Sequence, residues 1–578
     1  MKRFTETPNT LKFSSLRRHI SAVIAIALLV SSCVSGQLGK NNSGQYKNGM
    51  VVSAHPEASR VGLDILKKGG NAVDAAVAVQ FALAVVYPNA GNLGGGGFLV
   101  YRSAKGEISS LDFREKAPAA ASRNMYLDSA GNAITDKSLY GHLAAGVPGS
   151  VDGMVKAHQK YGRLSWAEVL QPAIDLAANG YKVTERQARE LNGNKSDFLK
   201  YNPGKGYYIK TDQWAAGDIV KQADLANTLT LIRDKGREGF YAGPVAALIE
   251  AEMKSGGGLI STADLKNYQA VWRKPVTGDY RGYKIITMPP PSSGGIALMQ
   301  LLESVEPYPL SRWGFNSDST VQLIVEAERR VYADRAAHLG DPDFYSVPQS
   351  ALLEDSYSRL RLQDFDWNRA TLSSAVLAGE VKGRESEETT HFSIVDRDGN
   401  AASVTTTLNG SYGSMVFVKG AGFLLNNEMD DFSVKPGVPN MYGLVGGEAN
   451  SIQPQKRMLS SMTPAILEKD GDLFMVVGTP GGSTIITSVF QTILNVVDFN
   501  KSMQAAVNAK KFHHQWLPDE VFVEKGALDS LTTVKLREKG YIIKERGPIG
   551  RVDAILKTKW GYYQGGADPR GDDVALGW

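Results

Sequence analysis

The chain of 578 residues has one cysteine, Cys33. A single thiol makes no internal disulfide, so the fold does not depend on oxidation, and no cysteine nucleophile is available in the body of the protein. An excess of one charge is lacking as well. Sixty-four Lys and Arg stand against 60 Asp and Glu, leaving +4, too little to argue for nucleic acid or an acidic membrane patch as a partner. The apolar run Ile20–Val30 is too short to span a bilayer as a helix. Several familiar sites are missing. Gly94–Gly97 and Gly481-Gly482 lack the Gly-Lys-Ser/Thr of a P-loop, and neither a G-x-S-x-G elbow nor an H-E-x-x-H zinc motif occurs. His513 and His514 are adjacent, so in a regular element they point different ways and make a poor metal pair. Neither a metal nor an organic cofactor is expected.

What is present begins with a targeting segment. Lys2, Arg3, Lys12, Arg17 and Arg18 precede the apolar run, as in a signal peptide, and Val30-Ser31-Ser32-Cys33 resembles the bacterial lipobox. In that pattern Cys33 is acylated and becomes the mature N-terminus. The alternatives are an ordinary secretory signal with Cys33 incidental, or twin-arginine export through Arg17-Arg18. The expected organisation is a lipoprotein signal at 1–32 and a polar tether at 33–48. An exported protein of the cell envelope or periplasm follows, touching a membrane only through its anchor.

From Met50 the chain is globular. Pro56 to Lys68 predicts a helix, Pro at its first position and Gly69-Gly70 stopping it. Asn71 suits an N-cap, with Asp74 in the first turn of a helix Ala72 to Val86 that is apolar nearly all round and so buried between layers. Gly94–Gly97 lead into a strand Phe98–Tyr101. A helix-rich region runs from Ser165 to about Gly257, and Pro289 to Gly295 forms a rigid turn before another helix. His391–Val395 and Ala401–Thr407 flank Asp396 to Asn400 as a hairpin; Thr463–Leu467 and Leu473–Val477 repeat the pattern around Asp470-Gly471. A helix is expected from Gly482 to Val497. Strands with helices outside point to a layered α/β sandwich.

Small polar residues cluster at turns: Glu387 to His391, Thr405 to Asn409, Asn426 to Asp431, Leu459 to Met462, and Gly478 to Ser483. Singly each has a bland reading, since threonine favours strands and Asn, Asp and Gly favour turns. Together, with GGNAVDAAVA from Gly69, GNLGGGGF from Gly91, DFRE from Asp112, MPPPSSGG from Met288, ADR and GDPDF between Ala333 and Phe344, TTHFSIVD from Thr389, LNNEMDDFS from Leu425, LSSMTP from Leu459 and TPGGS from Thr479, they form a pattern. On these strings, from about Gly49 to Trp578, the chain resembles the γ-glutamyltranspeptidase family of N-terminal-nucleophile hydrolases.

The resemblance implies a four-layer αββα sandwich formed jointly by a large subunit, 49–388, and a small catalytic subunit, 389–578, cut from one precursor between Glu388 and Thr389. It makes Thr389 the nucleophile and Thr407 its orienting neighbour. Thr390 is the adjacent wrong choice. A threonine hydroxyl needs a base, and the α-amine freed by cleavage, with a pKa of about 7.7–8.0, can be one near neutral pH. Arg114 would pair with the α-carboxylate of a γ-glutamyl group, helped by Ser460 and Ser461, unless it is only a structural ion pair with Asp112 or Glu115. Asp431, Asn409 and Glu428 would hold the α-ammonium. Backbone N–H groups of Gly481 and Gly482 would form the oxyanion hole. The loop Pro436 to Gly447 resembles the family's lid, with Tyr442 gating access, and Met458 stands where relatives often have proline.

The implied donor is glutathione or another γ-glutamyl compound, and the acceptor an amino acid, a dipeptide or water. A cephalosporin (glutaryl) acylase of the same superfamily is the rival, and a non-catalytic envelope binding lipoprotein the third reading. The paired charges favour the first, because a glutaryl group has no ammonium.

Overall fold

The computed structural model describes residues 1, 44–203, 206–376 and 389–578. The expected signal segment, Cys33 with its expected acylation, most of the tether and Glu388 lie outside the described residues.

Two seven-stranded antiparallel sheets carry the fold. In the first the order is Val574–Gly577, Met50–Ser53, Thr390–Val395, Ala401–Thr407, Gly96–Arg102, Ile108–Asp112 and Val271–Arg273. In the second it is Gln45–Tyr46, Tyr563–Gly566, Asp553–Lys557, Asp472–Gly478, Ala465–Lys469, Tyr283–Thr287 and Val276–Tyr280. Both sheets interleave strands from either side of position 389, so a cut there would leave two fragments sharing each ladder.

Three apolar clusters define four layers. Val51, Leu99, Phe392 and Ile394 of the first sheet pack against Ala72–Val86 and neighbouring helices. Ile285, Leu467, Met475 and Val477 of the second pack against Gly294–Val305, Asp318–His338 and Thr484–Val497. Between the sheets lie Met50, Val52, Phe98, Val100, Ile466, Val476 and Ile555. This is the expected αββα sandwich, and strand alternation builds it. Two hydroxyls tie the sheets together: Ser393 Oγ donates to Asp553 O at 3.0 Å and Ser403 Oγ to Val477 O at 3.2 Å.

The first helix pair follows its sequence signals. Pro56–Lys67 ends one residue before Gly69 was expected to stop it, with Lys68 as its C-cap. Every residue of Ala72–Val86 is buried. Asn71 Oδ1 accepts from the N–H groups of Val73 and Asp74, and Asp74 Oδ2 accepts from Asn71 N at 2.8 Å, a reciprocal capping box. The glycine run does something other than turn. A Cβ on Gly94 would sit 2.2 Å from Leu424 O, and one on Gly95 2.0 Å from Thr407 O. Close backbone approach therefore demands these glycines, and the strand begins inside the run at Gly96. The second hairpin is shifted from its expected limits, to Ala465–Lys469 and Asp472–Gly478, with a register shift between Leu467 and Glu468.

Candidate active site

The hairpin decides which threonine meets the site. Thr390 pairs with Thr406 across the ladder, so continuing the register one residue sets Thr389 opposite Thr407. Alternation then separates the two neighbours. Thr390 shares its face with Phe392 and Ile394, toward the helices, where Thr406 Oγ1 accepts from Asn92 Nδ2 at 3.0 Å and Gln80 Nε2 at 3.2 Å. Thr389 shares its face with Ser393, toward the second sheet. His391, two residues on, is no base for it. Its ring nitrogens meet Thr405 Oγ1 at 2.9 Å and Ser393 Oγ at 3.1 Å, and burial pushes its pKa down to about 3.

Thr389, Thr407, Arg114, Asn409, Glu428, Asp431, Tyr442, Ser460, Ser461 and Gly482 all line one cavity. It encloses about 20 Å³, room for a single water. Gly481 faces a second cavity that shares Thr389 with the first. Larger clefts beside Trp272 and beside Tyr207 hold none of the expected site residues.

Arg114 is fully buried at the end of the strand Ile108–Asp112. Its Nη1 lies 2.5 Å from Glu428 Oε2 and 3.4 Å from Glu115 Oε2; its Nη2 pairs with Asp431 Oδ2. Nε and Nη2 also donate to the carbonyls of Met458 and Leu459, each at 3.3 Å. Asp112 plays a different part. It accepts from Arg114 N at 2.9 Å and turns its other oxygen to Arg273 Nε at 2.7 Å and Arg457 Nε at 3.3 Å. The structural ion pair weighed for Arg114 therefore exists through Glu115 but not through Asp112. Its strongest partners are the two acids expected to hold an ammonium.

Three carboxyls surround one guanidinium in a buried site. Burial pushes Glu428 well above the carboxylate range and Glu115 up to about 7, and it raises Asp431 too, while Arg114 pulls all three back. A second cation stands close by. Arg335 is buried in the helix Asp318–His338; its Nη2 donates to Ser461 Oγ at 3.0 Å and its Nε to Ser293 Oγ at 2.9 Å. Sequence reasoning missed its role, although the string Ala333-Asp334-Arg335 was in view. The available signal was arginine in a helix buried all round from Thr320 to Ala336, where a charge needs a partner. Ser460 is fixed by its backbone, its N donating to Pro291 O at 2.9 Å and its O accepting from Ser293 Oγ at 2.7 Å.

The loop expected as a lid lines the cavity through Tyr442 and Leu444. Tyr442 OH donates to Asn409 O at 2.6 Å, Met441 N to Asp430 Oδ2 at 2.9 Å and Asn440 Nδ2 to Asp431 Oδ1 at 3.1 Å. Asn409, at φ 74°, donates its N–H to Thr407 Oγ1 at 2.7 Å and its side-chain amide to Asn427 O at 2.9 Å. The amide is thus engaged, and the residue's main part here is to link lid and hairpin. Gly482, at φ 53°, lies under the Tyr442 ring: a Cβ there would be 2.4 Å from Cδ1. Gly481 and Gly482 both have positive φ, so the expected helix starts only at Thr484.

Known proteins share this arrangement of sequence. The γ-glutamyltranspeptidase family model matches residues 58–578. The chain belongs to that family. The glutathione hydrolase proenzyme of Escherichia coli (strain K12) is 48% identical over 536 residues, 92% of each chain. The corresponding Pseudomonas aeruginosa proenzyme is 44% identical over 573 residues, 97% of this chain and 99% of that one. Among solved structures, the cephalosporin acylase from Bacillus halodurans superposes with a TM-score of 0.83 at 26% identity, covering 94% of this chain and 98% of its own. For a γ-glutamyltranspeptidase family member, the cavity's makeup is chemically apt: a guanidinium, two carboxyls paired with it and a threonine all line it.

Proposed function

We propose that the protein is a self-cleaving γ-glutamyltranspeptidase and glutathione hydrolase whose nucleophile is Thr389. The observation that carries the reading is the single cavity in which Thr389 meets both a buried guanidinium and a buried carboxyl pair. In the precursor, Thr389 Oγ attacks the Glu388 carbonyl, and water resolves the ester, leaving fragments 49–388 and 389–578 associated. The freed α-amine then takes the Thr389 hydroxyl proton as Oγ attacks the γ-carbonyl of the donor. N–H groups of Gly481 and Gly482 face the oxyanion. Collapse expels the amine of cysteinylglycine, which takes that proton and leaves a γ-glutamyl–Thr389 ester. An amino acid, dipeptide or water repeats the steps in reverse.

Binding exchanges partners. A γ-glutamyl group brings a carboxylate to Arg114, with Ser460 and Ser461, and an ammonium to Asp431, Glu428 and Asn409. It thus replaces the contacts those residues make with each other. Free space of about 20 Å³ cannot hold it, so the site widens first, and Tyr442 and its loop, which line it, move. We assign the mature protein to the cell envelope, anchored through acylated Cys33, from its signal and lipobox pattern alone.

The acylase reading has one favourable observation, the close superposition on a cephalosporin acylase. Fold alone does not choose a substrate, and two carboxyls aimed at an ammonium site have no use for a glutaryl group. The test is hydrolysis of γ-glutamyl against glutaryl 4-nitroanilide by the cleaved protein. Preference for the γ-glutamyl substrate is expected; preference for glutaryl overturns the assignment.

A further inference from the structure

The two adjacent serines of the cavity are each held by an N–H that donates to the hydroxyl. Met462 N donates to Ser460 Oγ at 3.1 Å, and Arg335 Nη2 donates to Ser461 Oγ at 3.0 Å. A backbone N–H and a guanidinium N–H can only donate. Each hydroxyl is therefore an acceptor in that contact and keeps its own proton to give. Both serines line the cavity, and a pair of hydroxyl donors suits a carboxylate, which only accepts.

Met462 belongs to the same loop as the serines, but Arg335 comes from another element. It lies in the last turn of the helix Asp318–His338, where the helix dipole favours a cation, and it is 5% exposed. On the same helix Arg329 pairs with Glu326 and Asp519, and Arg330 with Glu326 and Asp364. Arg335 pairs with no carboxylate among the described residues and holds two hydroxyls instead, Ser461 through Nη2 and Ser293 Oγ through Nε at 2.9 Å. Ser293 Oγ in turn donates to Ser460 O at 2.7 Å. One planar fork thus reaches the Ser461 side chain directly and the Ser460 backbone through Ser293. Arg114 differs, being already surrounded by Glu115, Glu428 and Asp431. Burial works against the charge on Arg335 and pulls its pKa down, with Tyr332 and Asp431 acting the other way from beyond ion-pair contact. A carboxylate arriving beside Ser461 supplies the countercharge that the protein withholds.

We propose that Arg335 is a positioning residue that sets specificity for the α-carboxylate of the glutamyl group: it fixes Ser461 as a hydrogen-bond donor and places a second positive charge behind that hydroxyl. The proposal rests on the γ-glutamyl reading above and adds to it a residue from outside the cavity lining. Arg335 acts through Ser461 and does not touch the substrate.

The test is a double-mutant cycle on the cleaved protein, with wild type, Arg335→Gln, Ser461→Ala and the two combined, and Arg335→Lys beside them. Arg335→Gln removes the charge and is expected to raise KM for γ-glutamyl-4-nitroanilide about ten-fold, the size of one charge-assisted hydrogen bond. Its kcat moves by less than about three-fold, because the carboxylate is held alike in the ground and transition states. Arg335→Lys keeps the charge without the fork that spans both hydroxyls, and its KM rises only about three-fold. In the Ser461→Ala background Arg335→Gln adds less than about three-fold, since the hydroxyl it orients is gone. An unchanged KM in Arg335→Gln, or the full ten-fold loss repeated in the Ser461→Ala background, overturns the role of Arg335 and leaves the γ-glutamyl reading intact. Should Arg335→Gln not cleave itself, Arg335→Lys carries the same cycle: its loss is expected to vanish beside Ser461→Ala, and persistence overturns the role. Failure of cleaved wild type to use the anilide overturns both.

Discussion

Tyr442→Phe removes one oxygen from the lid and nothing else. The lost atom is the hydroxyl that donates to Asn409 O at 2.6 Å, and both residues are buried. Phenylalanine keeps the ring over Gly482 but leaves the Asn409 carbonyl without that donor. A buried acceptor deprived of its partner costs about 1–3 kcal/mol. Two other anchors remain, Met441 N to Asp430 and Asn440 Nδ2 to Asp431, so the loop is loosened rather than released. Taking about 2 kcal/mol, the ratio of open to closed loop rises about 30-fold. A gate re-forms the same bond once it has shut over glutamate, so its loss cancels from the equilibrium affinity and appears in the exchange rates. Limited proteolysis or hydrogen exchange of residues 436–447 should therefore speed up by about 30-fold. Glutamate should dissociate faster by a similar factor, and its Kd should move by less than about three-fold. Unaltered protection of the loop refutes the gate. So does a Kd shift as large as the change in protection, since Tyr442 would then be holding the ligand and not the door.

Arg114→Lys keeps the charge among Glu428, Asp431 and Glu115 but loses the fork that reaches all of them and two carbonyls. It is expected to fold and cleave, with kcat/KM for γ-glutamyl-4-nitroanilide down about 100-fold; near-normal kcat/KM refutes carboxylate binding there. Glu428→Gln tests the electrostatics. Burial raises the folded pKa of Glu428 above its unfolded value of 4.5, so its contribution to stability is fully present below pH 4.5 and is lost as pH rises through the folded pKa. Denaturant melts should show wild type and Glu428→Gln equally stable near pH 4, with the variant gaining steadily toward alkaline pH. The opposite slope means Glu428 is ionised in the empty site.

Local signals carried much of the fold. Asn71, Asp74 and an all-apolar run defined one buried helix, and Asp396 to Asn400 defined the hairpin that presents Thr389. Strand parity within that hairpin separates Thr389 from Thr390, and parity is legible in sequence once the pairing is known. What depended on long-range packing was not legible. Nothing near Gly94 says that the Leu424 and Thr407 carbonyls lie where side chains on Gly94 and Gly95 would be. The terminal strand Val574–Gly577 closes the first sheet against Met50–Ser53, from the far end of the chain. At the site, the motif positions came together in one cavity, but their mutual pairing was not foreseen. Arg114 was expected to wait for a carboxylate, and instead it holds Glu428 and Asp431. A buried guanidinium cannot wait unpaired, because desolvation exceeds what an empty site returns. The same reason fixes Arg335 on Ser461.

The central claim is that Thr389 cuts the chain and then serves as nucleophile. The most direct measurement is intact mass under denaturing conditions of exported wild type, Thr389→Ala and Thr390→Ala. Wild type and Thr390→Ala are expected as two fragments meeting at Glu388 and Thr389, and Thr389→Ala as one uncut chain. An uncut wild type, or a Thr389→Ala protein that still yields the same two fragments, contradicts the account.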